Sequence, residues 1–368
     1  MTLCRSGGLW VLAAMTDVLT MVAAITERQP VQGCQKYTGE MLMRVMKTLF
    51  AVASAAAFAQ ALAPGLAHAQ AWPQKPIIVV VPFAAGGGTD AFGRPLAQQL
   101  DTQLGQRVLI ENRAGAGGTV GASQASKAAP DGYTFFMGAA HHTIAPAIYP
   151  KLDYDLEKDF IPIALVAQPP QVVVVNPKVP ANTLAELIAY AKANPDKLNY
   201  ASAGAGTTHH LAGELFKLLT KTQIRHVPFR GAGPAMQDLV AGHVDVMFDG
   251  LGTSATQING GALRALALAA PKRSPAVANV PTAAEAGLNS YEVSTWYAIW
   301  APKGTPPEIV ERMKKEIATA LQSALVKDAW ARNGSDVSSL AGAEFAAFVK
   351  SEIARWGKVV KDADVKLE

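Results

Sequence analysis

Cysteine is nearly missing from this 368-residue chain: the two present, Cys4 and Cys34, both lie close to its start. Everything after residue 34 therefore lacks a thiol, which excludes a disulfide framework, a cysteine metal site, a cysteine nucleophile and attachment of lipid to an N-terminal cysteine. Charge is also sparse, at 17% of residues, with 33 Lys and Arg against 29 Asp and Glu. The first 71 residues hold five of the basic and three of the acidic side chains, so 28 cations face 26 anions beyond them. A balance that close leaves no electrostatic footprint for nucleic acid. Long apolar runs are confined to the N-terminal region, at 9–25 and 48–63, and the first is interrupted by Thr16 and Asp17. The signatures of several enzyme classes are missing as well: no Gly-Lys-Ser/Thr follows any glycine loop, and neither G-x-G-x-x-G nor G-x-S-x-G occurs.

The second apolar run has the layout of an export signal. Met43-Arg44-Val45-Met46-Lys47 is a positive opening, 48–63 is the apolar segment, Pro64-Gly65 breaks it, and Ala67-His68-Ala69 is a small-x-small cleavage site. We therefore expect residues 1–42 to be an upstream extension outside the mature protein. Residues 43–71 should be a secretory signal peptide, cut after Ala69 or Ala71, that delivers the protein to the periplasm. The rival reading of 9–25 as a membrane segment suffers from its interruption and marginal length.

Beyond residue 71, short β-branched runs alternate with helical patterns. Strands are predicted at 77–81, 108–111, 133–137, 163–167, 172–175, 198–201, 225–227, 244–248, 263–268 and 293–300. Several are apolar on both faces, which predicts α/β lobes with mostly parallel sheets. Two helix starts read as capping boxes, Thr183 with Glu186 and Thr305 with Glu308. A length just under 300 residues is long for one core, so two lobes are expected. With no flexible linker in sight, the chain should cross between them near 168–171 and 291–294. That assigns 72–169 with 293–368 to the first lobe and 170–292 to the second.

Four segments share one construction, in which a strand ends, glycines follow and a helix begins. They run Pro82-Phe83-Ala84-Ala85-Gly86-Gly87-Gly88-Thr89-Asp90, then Asn112 to Thr119, then Ala201 to His209, then Pro228-Phe229-Arg230-Gly231-Ala232-Gly233-Pro234. Each would present backbone N–H groups at the positive end of a helix, without a Cβ to hold a ligand away. A carboxylate is the kind of group such loops hold, at the carboxyl ends of strands. The alternative for any single loop is a plain turn.

Those blocks, with Glu111-Asn112-Arg113, Asp131-Gly132-Tyr133-Thr134, Tyr149-Pro150 ahead of Asp155, and Val244-Asp245-Val246-Met247-Phe248-Asp249, resemble the Bug or tripartite tricarboxylate transporter (TctC-type) substrate-binding proteins over essentially all of 72–368. The resemblance implies a two-lobed periplasmic binding fold of the type II kind, closing on a small carboxylated solute. It implies ligand contacts at Phe83, Gly87, Gly88, Thr89 and Asp90 in the first lobe. In the second lobe it implies Gly206, Thr207 and Thr208 at a helix start and Asp249 at a strand end. It further implies a tripartite membrane permease as partner, capture without chemistry, and no cofactor. A monomer suits that mechanism. Two departures touch the ligand: Ala145 stands where the family usually has Asn, and the doubled histidines His141-His142 and His209-His210 are less usual.

Asp90 could receive a solute amine or cap its own helix by accepting the N–H three residues on. Asp249 could line the pocket or turn the chain before Gly250. The histidines His141, His142, His209, His210, His226 and His243 lack a His-x-x-x-His spacing, which argues against a metal, and His142 or His209 is expected to line the pocket instead. Arg230 could pair a carboxylate or lie on the surface, and Trp296 and Trp300, in a predicted crossing strand, could pack between the lobes or simply in a core. The alternative class is a secreted α/β enzyme acting on an acyl or phosphorylated substrate.

Overall fold

The computed structural model describes residues 72–338 and 340–362, with Met43, Arg44, Lys47 and Thr48 as four isolated positions further upstream. The expected extension at 1–42 and the cleavage region lie outside the described residues.

All ten predicted strands form. They are β1 (Ile77–Val81), β2 (Val108–Asn112), β3 (Thr134–Ala139), β4 (Phe160–Ala167), β5 (Gln171–Val175), β6 (Asn199–Ser202), β7 (Arg225–Pro228), β8 (Val246–Gly250), β9 (Arg264–Leu268) and β10 (Tyr297–Pro302). They build two five-stranded sheets, ordered β2-β1-β3-β10-β4 and β7-β6-β8-β5-β9. In the first, β1 runs parallel to β2 and β3, while β10 runs antiparallel to β3 and β4. In the second, β6 runs parallel to β7 and β8, while β5 runs antiparallel to β8 and β9. The expectation of mostly parallel sheets is thus corrected to mixed ones. The reason is topological, because β5 and β10 enter their sheets directly from the crossings and so arrive in the reversed direction.

Among the described residues ten α-helices cover the sheets: α1 (Gly88–Leu104), α2 (Thr119–Ser126), α3 (His141–Ile148), α4 (Leu184–Ala193), α5 (Thr208–Thr220), α6 (Ala232–Ala241), α7 (Leu251–Asn259), α8 (Pro307–Ala320), α9 (Ala324–Arg332) and α10 (Gly342–Asp362). Successive strand side chains alternate between faces, and both faces are buried. Ile77, Val79 and Val81 join Phe92, Met313, Ile317 and Trp330 on one side of the first sheet, while Val80 joins Phe136, Trp300 and Phe345 on the other. Val173 and Val175 pack with Tyr200 and Phe216, and Val172 and Val174 pack with Leu239 and Met247. The C-terminal helices thus share the core of the first sheet. Trp296 and Trp300 belong there too, under Phe345 of α10, and not between the lobes; the buried indole N–H of Trp296 donates to Glu352 Oε2 at 3.0 Å.

The two crossings lie side by side. Gln171 N donates to Val293 O at 3.0 Å, Thr295 N donates to Pro169 O at 3.3 Å, and Pro170 bridges Ser294. Strand β10 starts only at Tyr297, so the predicted 293–300 strand divides into a crossing and a sheet strand. Thr183 caps α4 as expected, accepting from Glu186 N at 3.1 Å. Thr305 does not cap α8: its hydroxyl turns back to Pro302 O at 2.8 Å, and the helix starts one residue later behind Pro306.

Candidate functional site

All four glycine segments end in helix starts, and they meet in pairs where the two lobes face each other. In one pair, Ala84 N donates to Arg230 O at 3.2 Å, and a Cβ on Gly233 would collide with the Ala85 carbonyl. In the other, Tyr149 Oη donates to Ala205 O at 2.9 Å, and a Cβ on Gly117 would lie 2.6 Å from that same carbonyl. Part of the glycine content is therefore explained by backbone packing against backbone across the lobes. Arg230 contributes its carbonyl, while its side chain lies exposed on the surface.

The first loop is held by Asp90. Its buried carboxylate accepts from Gly86 N at 3.0 Å, Arg94 Nε at 2.9 Å and Asn112 Nδ2 at 3.0 Å, and Asn112 also donates to Phe83 O at 2.9 Å. Asp90 is the third residue of α1, so its side chain reaches back toward the loop. Capping of the N–H three residues further on is thereby corrected. The Phe83 ring meets His141 edge-on at 4.8 Å. At the start of α1, Gly87 supplies no side-chain cap, Thr89 is buried, and a Cβ on Gly88 would fall on the Tyr297 hydroxyl. That approach is what Gly88 permits.

The start of α5 is occupied by protein groups. Thr207 accepts from His210 N at 3.4 Å and donates to Gly204 O at 2.7 Å, and Gly206 N donates to His210 Nδ1 at 3.1 Å. From the other lobe, His141 Nδ1 lies 3.3 Å from both N and Oγ1 of Thr208. Burial pushes the pKa of His141 well down, helped by His209 and then His142, so its ring is neutral and can accept the Thr208 N–H. His142 lies deeper. Its Nδ1 sits 3.0 Å from Ala139 N and 2.9 Å from Ala139 O, Nε2 is 3.4 Å from Gly118 O, and burial lowers its pKa to about 4 against the opposing pull of those carbonyls. It supports the loop more than it lines a pocket.

His209 and Asp249 form a fully buried pair, Nε2 to Oδ1 at 3.1 Å. Among the described residues their second polar atoms, His209 Nδ1 and Asp249 Oδ2, are buried with no partner, as are both amide atoms of Gln171, while the Thr295 side chain bonds that of Tyr297. Gln171 and Asp249 stand on neighbouring rungs of the second sheet, Gln171 opposite Gly250 and Val172 opposite Asp249, and the Cβ position of Gly250 lies 3.2 Å from Thr295 Cγ2 and 3.8 Å from Tyr297 Oη. Burial raises the Tyr297 pKa, and the neighbouring Asp249 raises it further. Tyr297 thus joins the uncapped start of α1 to the end of β8. Gln171, Thr295 and Tyr297 were missed from sequence, although a glutamine heading the otherwise all-valine β5 was a readable sign. A groove of about 900 Å³ lies behind the crossings among residues such as Lys272, Arg273, Trp330 and Arg355, and contains none of these orphaned atoms. The chemistry favours the enclosed cluster over the open groove.

Residues 92–365 match the TctC family, described as the tripartite tricarboxylate transporter family receptor. The Bordetella pertussis protein BugT is 38% identical over 302 residues, spanning 82% of this chain and 93% of BugT. Among solved structures, the periplasmic binding protein BugD is 35% identical with a TM-score of 0.78, covering 81% of this chain and 100% of its own. MatC of Rhodopseudomonas palustris with bound malate is 38% identical, with a TM-score of 0.75 and coverage of 78% and 100%. An R. palustris protein solved with adipate is 36% identical, with a TM-score of 0.77 and coverage of 80% and 99%.

Proposed function

The chain belongs to the TctC family of tripartite tricarboxylate transporter receptors, and on that premise we propose that it is a periplasmic solute-binding protein that captures a small carboxylate and presents it to a membrane permease. The observation that carries this reading is the enclosed cluster of orphaned polar atoms beside the uncapped start of α1. Backbone N–H groups at a helix start favour an anion. We assign the ligand contacts to Phe83, Gly87, Gly88, Thr89, His209 and Asp249, with Gln171, Thr295 and Tyr297 added. Asp90 and His142 hold the loop around them. Gly206, Thr207 and Thr208 take part once His141 moves from the start of α5. Malate and adipate, the acids bound by two relatives, support a carboxylate as the shared requirement.

The moving bodies are 72–169 with 293–368, and 170–292, turning about the paired crossings as hinged binding proteins do. The ligand is released unaltered, and a monomer suffices. Export by a cleaved signal peptide at 43–71 would place the protein in the periplasm.

A thermal-shift screen of the purified protein against small carboxylates, with matched neutral esters, tests the reading. A ligand at a hundred times its Kd stabilises the native state by about 2.7 kcal/mol, which moves Tm by several degrees. A shift with an acid and none with its ester is expected. Shifts with esters or sugars alone would overturn the carboxylate site, and conversion of the acid to a new product would restore the enzyme alternative.

A further inference from the structure

Resting on that reading of the site, we propose that the captured carboxylate carries a hydrogen-bond donor of its own, a hydroxyl or a protonated amine, received by Oδ2 of Asp249. Asp249 is fully buried, and the bond from His209 occupies only one of its two oxygens. An ionised carboxylate accepts and cannot donate, so the second oxygen needs a donor, and burying it without one is costly. Among the described residues none supplies that donor. The closest parallel, Asp90, satisfies both its oxygens from three protein donors.

A plain aliphatic diacid does not meet this need, because its carboxylates offer only acceptors and one placed beside Asp249 would be repelled. A hydroxy or amino acid meets it with one atom. Tyr297 lies near both places, its hydroxyl at the start of α1 and Asp249 acting on its titration. A site built to pair a ligand hydroxyl or amine rejects the analogue lacking it strongly, because the protein groups are then left unpaired.

The test is calorimetric titration of the full chain with matched sets: succinate, malate and aspartate; glutarate, 2-hydroxyglutarate and glutamate; benzoate and its hydroxy derivatives. The donor-bearing member of at least one set should bind about 30-fold or more tightly than its unsubstituted parent. Asp249→Asn, which replaces the free acceptor by an amide at nearly constant shape, should erase or invert that preference while circular dichroism stays unchanged. His209→Gln is the second variant, and it should narrow the preference without abolishing binding of the parent acid. Unsubstituted acids binding as tightly as their hydroxy and amino partners would overturn this inference and leave carboxylate capture standing. Donor preference that survives Asp249→Asn would overturn the assignment to Asp249. Binding of no acid in any set would overturn the site reading itself.

Discussion

Asp90 and Asp249 are both buried aspartates near loops that face across the lobes, yet their surroundings differ in kind. Asp90 has a backbone N–H, a guanidinium and an amide around it, and in return it fixes the loop that opens α1. Asp249 has one histidine and an oxygen that meets no donor among the described residues. A saturated buried carboxylate is a structural device; a half-satisfied one marks where something else must bind, since native proteins seldom leave such groups unpaired. The resemblance to relatives gave both residues the same role. Only the hydrogen-bond inventory separates them.

The sharpest way to break that comparison is to remove each carboxylate. Asp90→Ala strands three donors at once, and it should cost about 2–4 kcal/mol of stability, with the largely exposed Arg94 adding little to that loss. Asp249→Ala should cost much less stability, because it breaks one protein hydrogen bond where Asp90→Ala breaks three, while it should weaken ligand binding at least about ten-fold. Denaturant unfolding beside titration reads both quantities. Equal stability losses would make Asp249 a second structural aspartate and dissolve the contrast.

Next in size is the glycine between them. Gly88→Ala places a methyl group on the Tyr297 hydroxyl, and such overpacking costs about 1–3 kcal/mol and should weaken binding with it. Adding Tyr297→Phe removes the atom in the way and should return a good part of the stability but not the affinity. If the double variant regains neither, the obstruction lies elsewhere than at Tyr297.

How much of this was readable beforehand follows from what each feature depends on. The strands were visible because runs such as Val172 to Val175 are apolar on both faces, and the four glycine loops because glycine before a helix is a local signal. Strand direction was not, since it depends on which strand the chain joins after a crossing. The capping of α4 by Thr183 held, whereas Thr305 failed because Pro306 shifted the helix start by one residue. Within the proposed site, the expected grouping of Phe83, Gly88 and Asp249 came from motif likeness. The contributions of Gln171, Thr295 and Tyr297 come from three strand and crossing positions far apart in sequence, and no local pattern brings them together.

The histidines extend the comparison to pH. Burial holds His142 neutral, with a folded pKa of about 4 against 6.5 when unfolded, and His226 is lowered to about 3 by burial, His210 and Lys217. Their contribution is fully present above pH 6.5 and is lost as pH falls toward 4 for His142 and toward 3 for His226, because the unfolded chain takes up protons first. Stability should therefore be flat above about pH 7 and decline below 6.5, with His142 alone accounting for about 2 kcal/mol at pH 5. Unfolding of His142→Gln across pH 4–8 should give a shallower acid limb. An unchanged slope would mean that His142 is charged or already bonded in the unfolded chain.

The smallest expected difference separates two neighbouring hydroxyls. Thr207 caps α5 within its own lobe, whereas Thr208 faces His141 of the other lobe. Thr207→Val should cost about 1 kcal/mol of stability, the usual worth of a cap, and weaken ligand binding less than the loss of Thr208, because its hydroxyl is already committed to Gly204 O and His210 N. Thr208→Val removes a hydroxyl but keeps the N–H that His141 also approaches, so stability should change by less. Its effect should fall on ligand binding, because the start of α5 becomes available to a carboxylate only when His141 leaves it. His141→Ala provides the converse: with no imidazole occupying that start, affinity for the carboxylate should rise a few-fold. A fall in affinity in His141→Ala would mean that the imidazole serves the ligand and does not compete with it.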